Sequence, residues 1–582
     1  MKKKILIAAT IVTVAAFVVY SQIKPPPFAP AEDFPREAFI YVQIADLPAL
    51  IKLWNESAFK SKYLESGNFK DFQNNHLGRK LASRRQEFGD AAGFPIDSEA
   101  VSGLAVNQAA LAIYDVGKLE FVFIAPVSDA LFAATKFAQN KNKCTEATLA
   151  DGTIINRVKV EADRGRQPQE LIFAQAKGRF ILATSEKLFV QTLANINGKR
   201  EKNRLIGAPA FALLSKEIAP HTATVWLDQK TLNDDYYFKR YWLMSDVKDL
   251  KNMRAGIFDF EMQDGKFIER RKFLLDEAAR VSPLDDAQTA PMLSFVPPDT
   301  PFYRLRSASA EAVDEAIEKI VCRRKTSKEA SRNSSAYLSF DEDNYYSSGD
   351  YEDLGEKYDE AVDETDDEAS DETGGRRESE IDFSNLLQTG KPQAVLTFAQ
   401  PKILPAPLSV EFKRTAIFDL AAPETFDRAA FESAIASKLA AQTLIAAPSV
   451  KLNWQTKSEG DNTWRELNLP MLGWSVSYAM RDEKLILNDD ADLLRQFSNA
   501  PSFSVEKENP PLHSLTVINF AGRENAFDKV FDELQRKQAA DDFFTGNIGS
   551  LLDSISDVAN IEIKEFYSPH TFDEEITVKF KL

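Results

Sequence analysis

The same series of strand and helix signals runs through this chain twice, in the same order, and that repetition limits the folds open to it. Pro35 to Val42 reads as a strand leading into a helical pattern from Leu47 to Trp54. Pro298 to Leu305 reads the same way and leads into Ala312 to Ile320. Phe121 to Pro126, followed by helical Asp129 to Gln139, matches Ile417 to Pro423, followed by Phe426 to Leu439. In both, a proline falls where the strand must stop donating hydrogen bonds. Ile181 to Ser185, ahead of Leu188 and Leu193, matches Leu485 to Asp489, ahead of Leu493 and Phe497, with Thr, Ser, Asn or Asp placed to cap a helix. His221 to Leu227 matches His513 to Asn519, and each series closes on paired alternating strands, Gly256 to Leu275 and Ile561 to Leu582.

Consecutive strands with polar alternation favour antiparallel layers over a doubly wound parallel sheet. The expected fold class is therefore α+β: two tandem repeats of a mostly antiparallel sheet, each covered by helices on one face, spanning residues 31–276 and 287–582. A length of 582 residues suits more than one core, and 44% hydrophobic with 27% charged residues are values of a chain that folds in water.

The two series differ in spacing, and the excess in the second falls on an acidic block. Residues 341–380 hold 18 acidic side chains against Lys357, Arg376 and Arg377, which accounts for nearly all of the formal net charge of −17. Like charges repel and leave too little apolar surface to offset chain entropy, so 326–388 reads as a disordered insertion into the second repeat. It stands where the first repeat carries a helical stretch from Ser57 to Phe94. Its densest run, Asp363, Glu364, Asp366, Asp367 and Glu368, is a candidate interaction segment. The Asp341-x-Asp343 start fails as a calcium loop, because Tyr345 and Tyr346 stand where a ligand and a glycine are needed. The remaining residues are close to neutral, which argues against a nucleic-acid binder.

Lys2, Lys3 and Lys4 precede an apolar run from Ile5 to Ile23, followed by Lys24 and Pro25-Pro26-Pro27. A run of that length spans a bilayer core as a helix, and no Ala-x-Ala site closes it, so residues 1–24 read as an uncleaved signal anchor contacting the membrane through residues 5–23. The positive flank places the rest of the chain on the extracytoplasmic side. Residues 25–30 then form a stiff proline spacer.

Nucleotide, acyl-transfer and zinc-protease signatures are absent: no GxGxxG, no GxxxxGK[ST], no GxSxG and no HExxH. No catalytic residue, cofactor or metal site is assigned. His221 and His513 are the candidate functional pair, since they hold matching places and histidine is the usual acid–base group. Each begins a strand after a proline, where satisfying a turn carbonyl is the plainer role. Cys144 and Cys322 occupy non-matching places, and sequence alone does not bring them within disulfide reach. The aromatic cluster Tyr236-Tyr237-Phe238 with Tyr241-Trp242 has the spacing of a helical packing face.

The anchor, the proline spacer, the opening from Phe34 to Ile51 and the later Ala110 to Gly117 segment together resemble uncharacterised bacterial envelope proteins with a duplicated α+β domain. The resemblance implies a bacterial inner-membrane protein, single-pass, with its bulk in the periplasm. It brings no catalytic residues. The function expected first is a membrane-anchored scaffold or interaction protein with an envelope protein partner. The alternatives are a carrier of an apolar ligand, with a cavity lined by some of the 41 phenylalanines, and an enzyme with an unrecognised site.

Overall fold

The computed structural model describes residues 30–65, 67–74, 76–105, 107–160, 169–198, 203–234, 252–263, 265–279, 281–297, 300–321, 383–403, 410–442, 452–460, 462–469, 474–496, 511–520 and 558–581. The chain divides into two compact units, residues 1–261 with 271–276 and residues 262–270 with 277–582.

In the first unit, β1 (Ile40–Ile44) runs into four helices, α1 (Leu47–Glu56), α2 (Ala58–Glu65), α3 (Gly67–Asn74) and α4 (His76–Ala92), then the short α5 (Ser98–Ser102). Asp46 starts α1 by accepting a hydrogen bond from the Ala49 amide at 2.8 Å, with Pro48 in its first turn. Strands β2 (Ala109–Asp115) and β3 (Glu120–Pro126) follow, then α6 (Asp129–Ala134) and α7 (Lys136–Gln139). Next come β4 (Thr145–Thr148), β5 (Ile154–Val160), β6 (Gln169–Ala176), β7 (Arg179–Ala183), α8 (Glu186–Ile196) and α9 (Pro209–Leu214). Strand β8 (Ala223–Leu227), α10 (Gln229–Asp234), β9 (Met253–Gln263) and β10 (Lys266–Leu275) complete the series. The strands lie in the order β4-β5-β6-β7-β3-β2-β1-β8-β9, every pair antiparallel, and β10 flanks β9.

The second unit holds α11 (Asp286–Leu293), β11 (Phe302–Ser307), α12 (Ala310–Val321), α13 (Phe383–Leu387), β12 (Pro392–Ile403), β13 (Val410–Leu420) and α14 (Arg428–Gln442). It continues with β14 (Gln455–Glu459), β15 (Asn462–Leu469), β16 (Trp474–Arg481), β17 (Lys484–Asn488), α15 (Ala491–Gln496), β18 (Ser514–Asn519), β19 (Val558–Ser568) and β20 (Thr571–Phe580). Its order, β14-β15-β16-β17-β13-β12-β11-β18-β19-β20, is again antiparallel and corresponds strand for strand to that of the first unit. Even the tight turns agree. Lys177 and Gly178 between β6 and β7, like Asp482 and Glu483 between β16 and β17, hold positive φ at both central positions, as a two-residue hairpin requires.

Helices cover both faces of each sheet, not one as the sequence reading had it. The cause is visible in register. Tyr41, Ala112, Val122, Ala183 and Ile172 align across one face and pack with Leu188, Phe189 and Leu193 of α8 and Phe211 and Leu214 of α9. Val42, Leu111, Phe123, Leu182 and Phe173 align across the other, which faces α4, α5, α6 and α7. Both alternating sets are apolar, so both need cover. In the second unit, Val395, Phe418 and Leu485 pack with α12, α13 and α14, while Leu396, Ile417 and Ile486 pack with α11 and α15.

A second correction concerns the acidic insertion, whose reading ran to residue 388. Residues 383–387 form α13, with Phe383 and Leu387 fully buried, because the apolar Phe383, Leu386 and Leu387 complete the core under α12. Its acidic part up to residue 382, the segment 5–23, the aromatic cluster at 236–242 and Cys322 lie outside the described residues. Among the described residues, no helix is long and apolar enough to cross a membrane.

Asp33, before β1, illustrates how burial sets a charge. Desolvation pushes its carboxyl up to about 6, outweighing the Arg179 guanidinium 2.8 Å away. Because the folded value exceeds the unfolded 3.8, the proton-linked stability is full below about pH 4 and is lost as pH rises through 6. Asp33→Asn removes that dependence. In denaturant titrations, the stability of wild type relative to the variant is expected to fall by about 2 kcal/mol between pH 4 and pH 7. A difference that stays flat across that range contradicts the assignment.

Candidate functional site

Between the Val42–Leu111–Phe123 face and its helices, the first unit holds a cavity of about 500 Å³, open to solvent on one side, whose walls are almost entirely carbon. Val42 and Ile44 of β1, Leu111 and Ile113 of β2, and Phe121 and Phe123 of β3 form the floor, with Leu171 and Leu182 beyond them. Leu81, Arg84, Arg85 and Phe88 of α4, Ala100 and Val101 of α5, and Phe137 of α7 form the roof and sides. Leu81 is 46% exposed and Arg85 is exposed, so this end of α4 is the lip.

The hollow has a sequence cause. Helix α4 spans 17 residues but offers only Leu77, Leu81 and Phe88 as large apolar side chains, while the strands beneath present a row of Val, Leu, Ile and Phe. Helix α1, which follows β1, buries only Leu47, and its Leu53 and Trp54 face solvent. At the matching place in the second unit, α12 buries Ala312, Val313, Ala316, Ile317, Ile320 and Val321 and fills the layer. Apolar walls with no side chains packed against them forfeit those contacts, which an apolar occupant restores.

The two histidines singled out in the sequence stand one residue out of register, since the His513 carbonyl accepts from the Ser307 amide where the Thr222 carbonyl accepts from the Ala45 amide, and neither lines the cavity. The His221 ring donates from Nδ1 to Asp259 Oδ2, its backbone N–H donates to Asp259 Oδ1 at 2.9 Å, and Thr224 Oγ1 donates to the same oxygen at 3.0 Å. Asp259 is fully buried on β9, on the sheet face opposite the cavity. His221 Nε2 lies 3.7 Å from Glu261. This constellation fixes one tautomer and ties the entry of β8 to β9. The Thr224 hydroxyl is already committed to the carboxylate, so among the described residues it is not a free nucleophile beside the dyad.

At the matching register in the second unit, Leu515 faces Lys564 where Thr224 faces Asp259. His513 there is buried, accepts at Nδ1 from the Tyr567 amide at 3.2 Å, and packs edge-on against the Tyr567 ring. An amide can only donate, so the close approach of the same nitrogen to the Pro511 carbonyl is a contact of the neutral ring. Burial holds this imidazole below its usual pKa, against the opposing effects of the Pro511 and Val281 carbonyls and Glu565. His513 is thus a satisfied structural residue.

Cys144 is half-buried, with Sγ 3.9 Å from the Asn140 carbonyl, and burial raises its thiol pKa. Among the described residues, no cluster of His, Cys, Asp and Glu is placed to hold a metal ion. The sequence reading offered a phenylalanine-lined cavity as an alternative but assigned no residue to it. The available signal was the mismatch between apolar strands and a helix too polar to cover them.

No family model and no curated protein matches this chain. Among solved structures, it is similar to crystal form I of TP0453 at 10% identity and a TM-score of 0.23, covering 44% of this chain and 82% of that one. Form III gives 10% identity and a TM-score of 0.24, covering 43% and 81%.

Proposed function

We propose that the first unit binds an apolar small molecule in the cavity between its sheet and α4, so that the protein serves as a carrier or receptor for that ligand. The observation that carries this reading is a 500 Å³ space with carbon walls, within the size range of ligand sites. The corresponding strand orders and matched turns support a duplicated domain, of which one copy kept a filled core and the other opened. The lysine-flanked apolar run at 5–23 supports anchorage in a bacterial inner membrane with both units outside the cytoplasm. The scaffold reading draws its support from the second unit, whose layers are filled by side chains.

The test is photolabelling of the full chain in lipid nanodiscs with a neutral dodecanol carrying a diazirine, followed by peptide mapping. Label is expected to concentrate on the peptides containing Val42, Leu111 and Phe123. Leu111→Trp, which fills the space, is expected to lower that label several-fold while leaving the fold at least as stable. Label spread evenly over both units, unaffected by Leu111→Trp, overturns the proposal.

A further inference from the structure

The cavity is apolar, yet two arginines belong to its wall. Arg84 is only 7% exposed, and one of its guanidinium nitrogens, Nη1, donates to Glu87 at 2.8 Å. Its Nε is buried and has no hydrogen-bond acceptor among the described residues. A buried donor without a partner costs about 1–3 kcal/mol, and a guanidinium carries its donors in a fixed fork suited to carboxylate or phosphate oxygens. Arg85 follows at the exposed lip, and Arg79 stands exposed earlier on the same helix, so positive charge gathers on this side of α4. Glu87 offsets one charge of this group and leaves the rest in excess.

Resting on the apolar-ligand reading, we infer that the ligand is a single-chain amphiphile with an anionic head: its chain lies along the Val42–Leu111–Phe123 floor and its head meets Arg84 and Arg85. The chain accounts for the carbon walls; the arginines show the cavity only their carbon stems, and a head at the lip gives Arg84, once its fork turns outward, the acceptor that Nε lacks. A wholly neutral apolar ligand would leave that donor unpaired.

The experiment is competition against cavity photolabelling in the full chain, with dodecanoate, dodecyl phosphate and dodecanol as competitors of equal chain length. At least one anion is expected to compete about tenfold better than the alcohol, the gain of a charge-assisted hydrogen bond. The order of the two anions tells a fatty acid from a phosphate head. In Arg84→Gln the anion-to-alcohol preference is expected to collapse towards unity. Arg85→Gln, altered at an exposed side chain, carries the same test if Arg84→Gln does not fold. Cavity labelling in which the three competitors are equal and the preference ignores both substitutions overturns the anionic head while leaving the apolar-ligand reading in place. Absence of cavity labelling overturns both.

Discussion

Phe418→Ala is expected to destabilise the second unit by about 3–5 kcal/mol, while Phe123→Ala costs the first unit about 1 kcal/mol. The two phenylalanines stand on β13 and β3, strands with the same place in their sheets. Phe418 is fully exposed to neighbours and not at all to solvent, in a cluster with Val395, Phe431 and Leu485. Truncating it removes a ring's worth of transfer energy and leaves a cavity that rigid neighbours do not close. Phe123 borders an existing space, so its ring has fewer contacts to lose, and truncation enlarges a void instead of creating one. Hydrogen exchange of β13 and β3 amides reads the two units separately and avoids assuming a single cooperative transition. Equal costs at the two sites contradict the contrast between a filled and a hollow layer.

Asp259→Ala is expected to cost about 2–4 kcal/mol. Three donors converge on this carboxylate: the His221 ring, the His221 amide and the Thr224 hydroxyl. Thr224 is buried, so losing the acceptor strands its hydroxyl away from water as well as forfeiting the bonds. The loss is expected in hydrogen exchange of β8 and β9, with cavity photolabelling retained, since the carboxylate lies on the other face of the sheet. A cost below ~0.5 kcal/mol shows that the cluster is not a tether.

The succession of strands along the chain was the most legible property of the sequence. The signals at Val42, Phe121, Ile181, Thr224 and Phe258 fall on β1, β3, β7, β8 and β9, and their counterparts fall on β11, β13, β17, β18 and β19. Alternation and proline or cap positions are local, so they survive without tertiary knowledge. The second layer of helices was not read, because a strand apolar on both sides, such as Ala109–Asp115, does not by itself say what each side touches. The place of the cavity was missed for a related reason. A void is the difference between what two elements supply, and neither Arg84 nor Leu111 announces it alone. The two histidines were found easily, yet they stand one residue out of register and Lys564 takes the place of Asp259, a distinction that depends on cross-strand pairing.

The central position of β1 has a consequence for biogenesis. It pairs on one side with β2, from Val42 to Leu111, and on the other with β8, from Tyr41 to Trp226. During synthesis the strand therefore waits, with one edge open, until almost all of its unit has emerged. Strand β11 repeats the wait, bridging Leu305 to Leu396 and then to Leu515. Non-local closure of this kind is slow, and open edges invite pairing with other chains. Each sheet is thus most exposed to misassembly late in its own synthesis, when a holding chaperone has the greatest effect on yield.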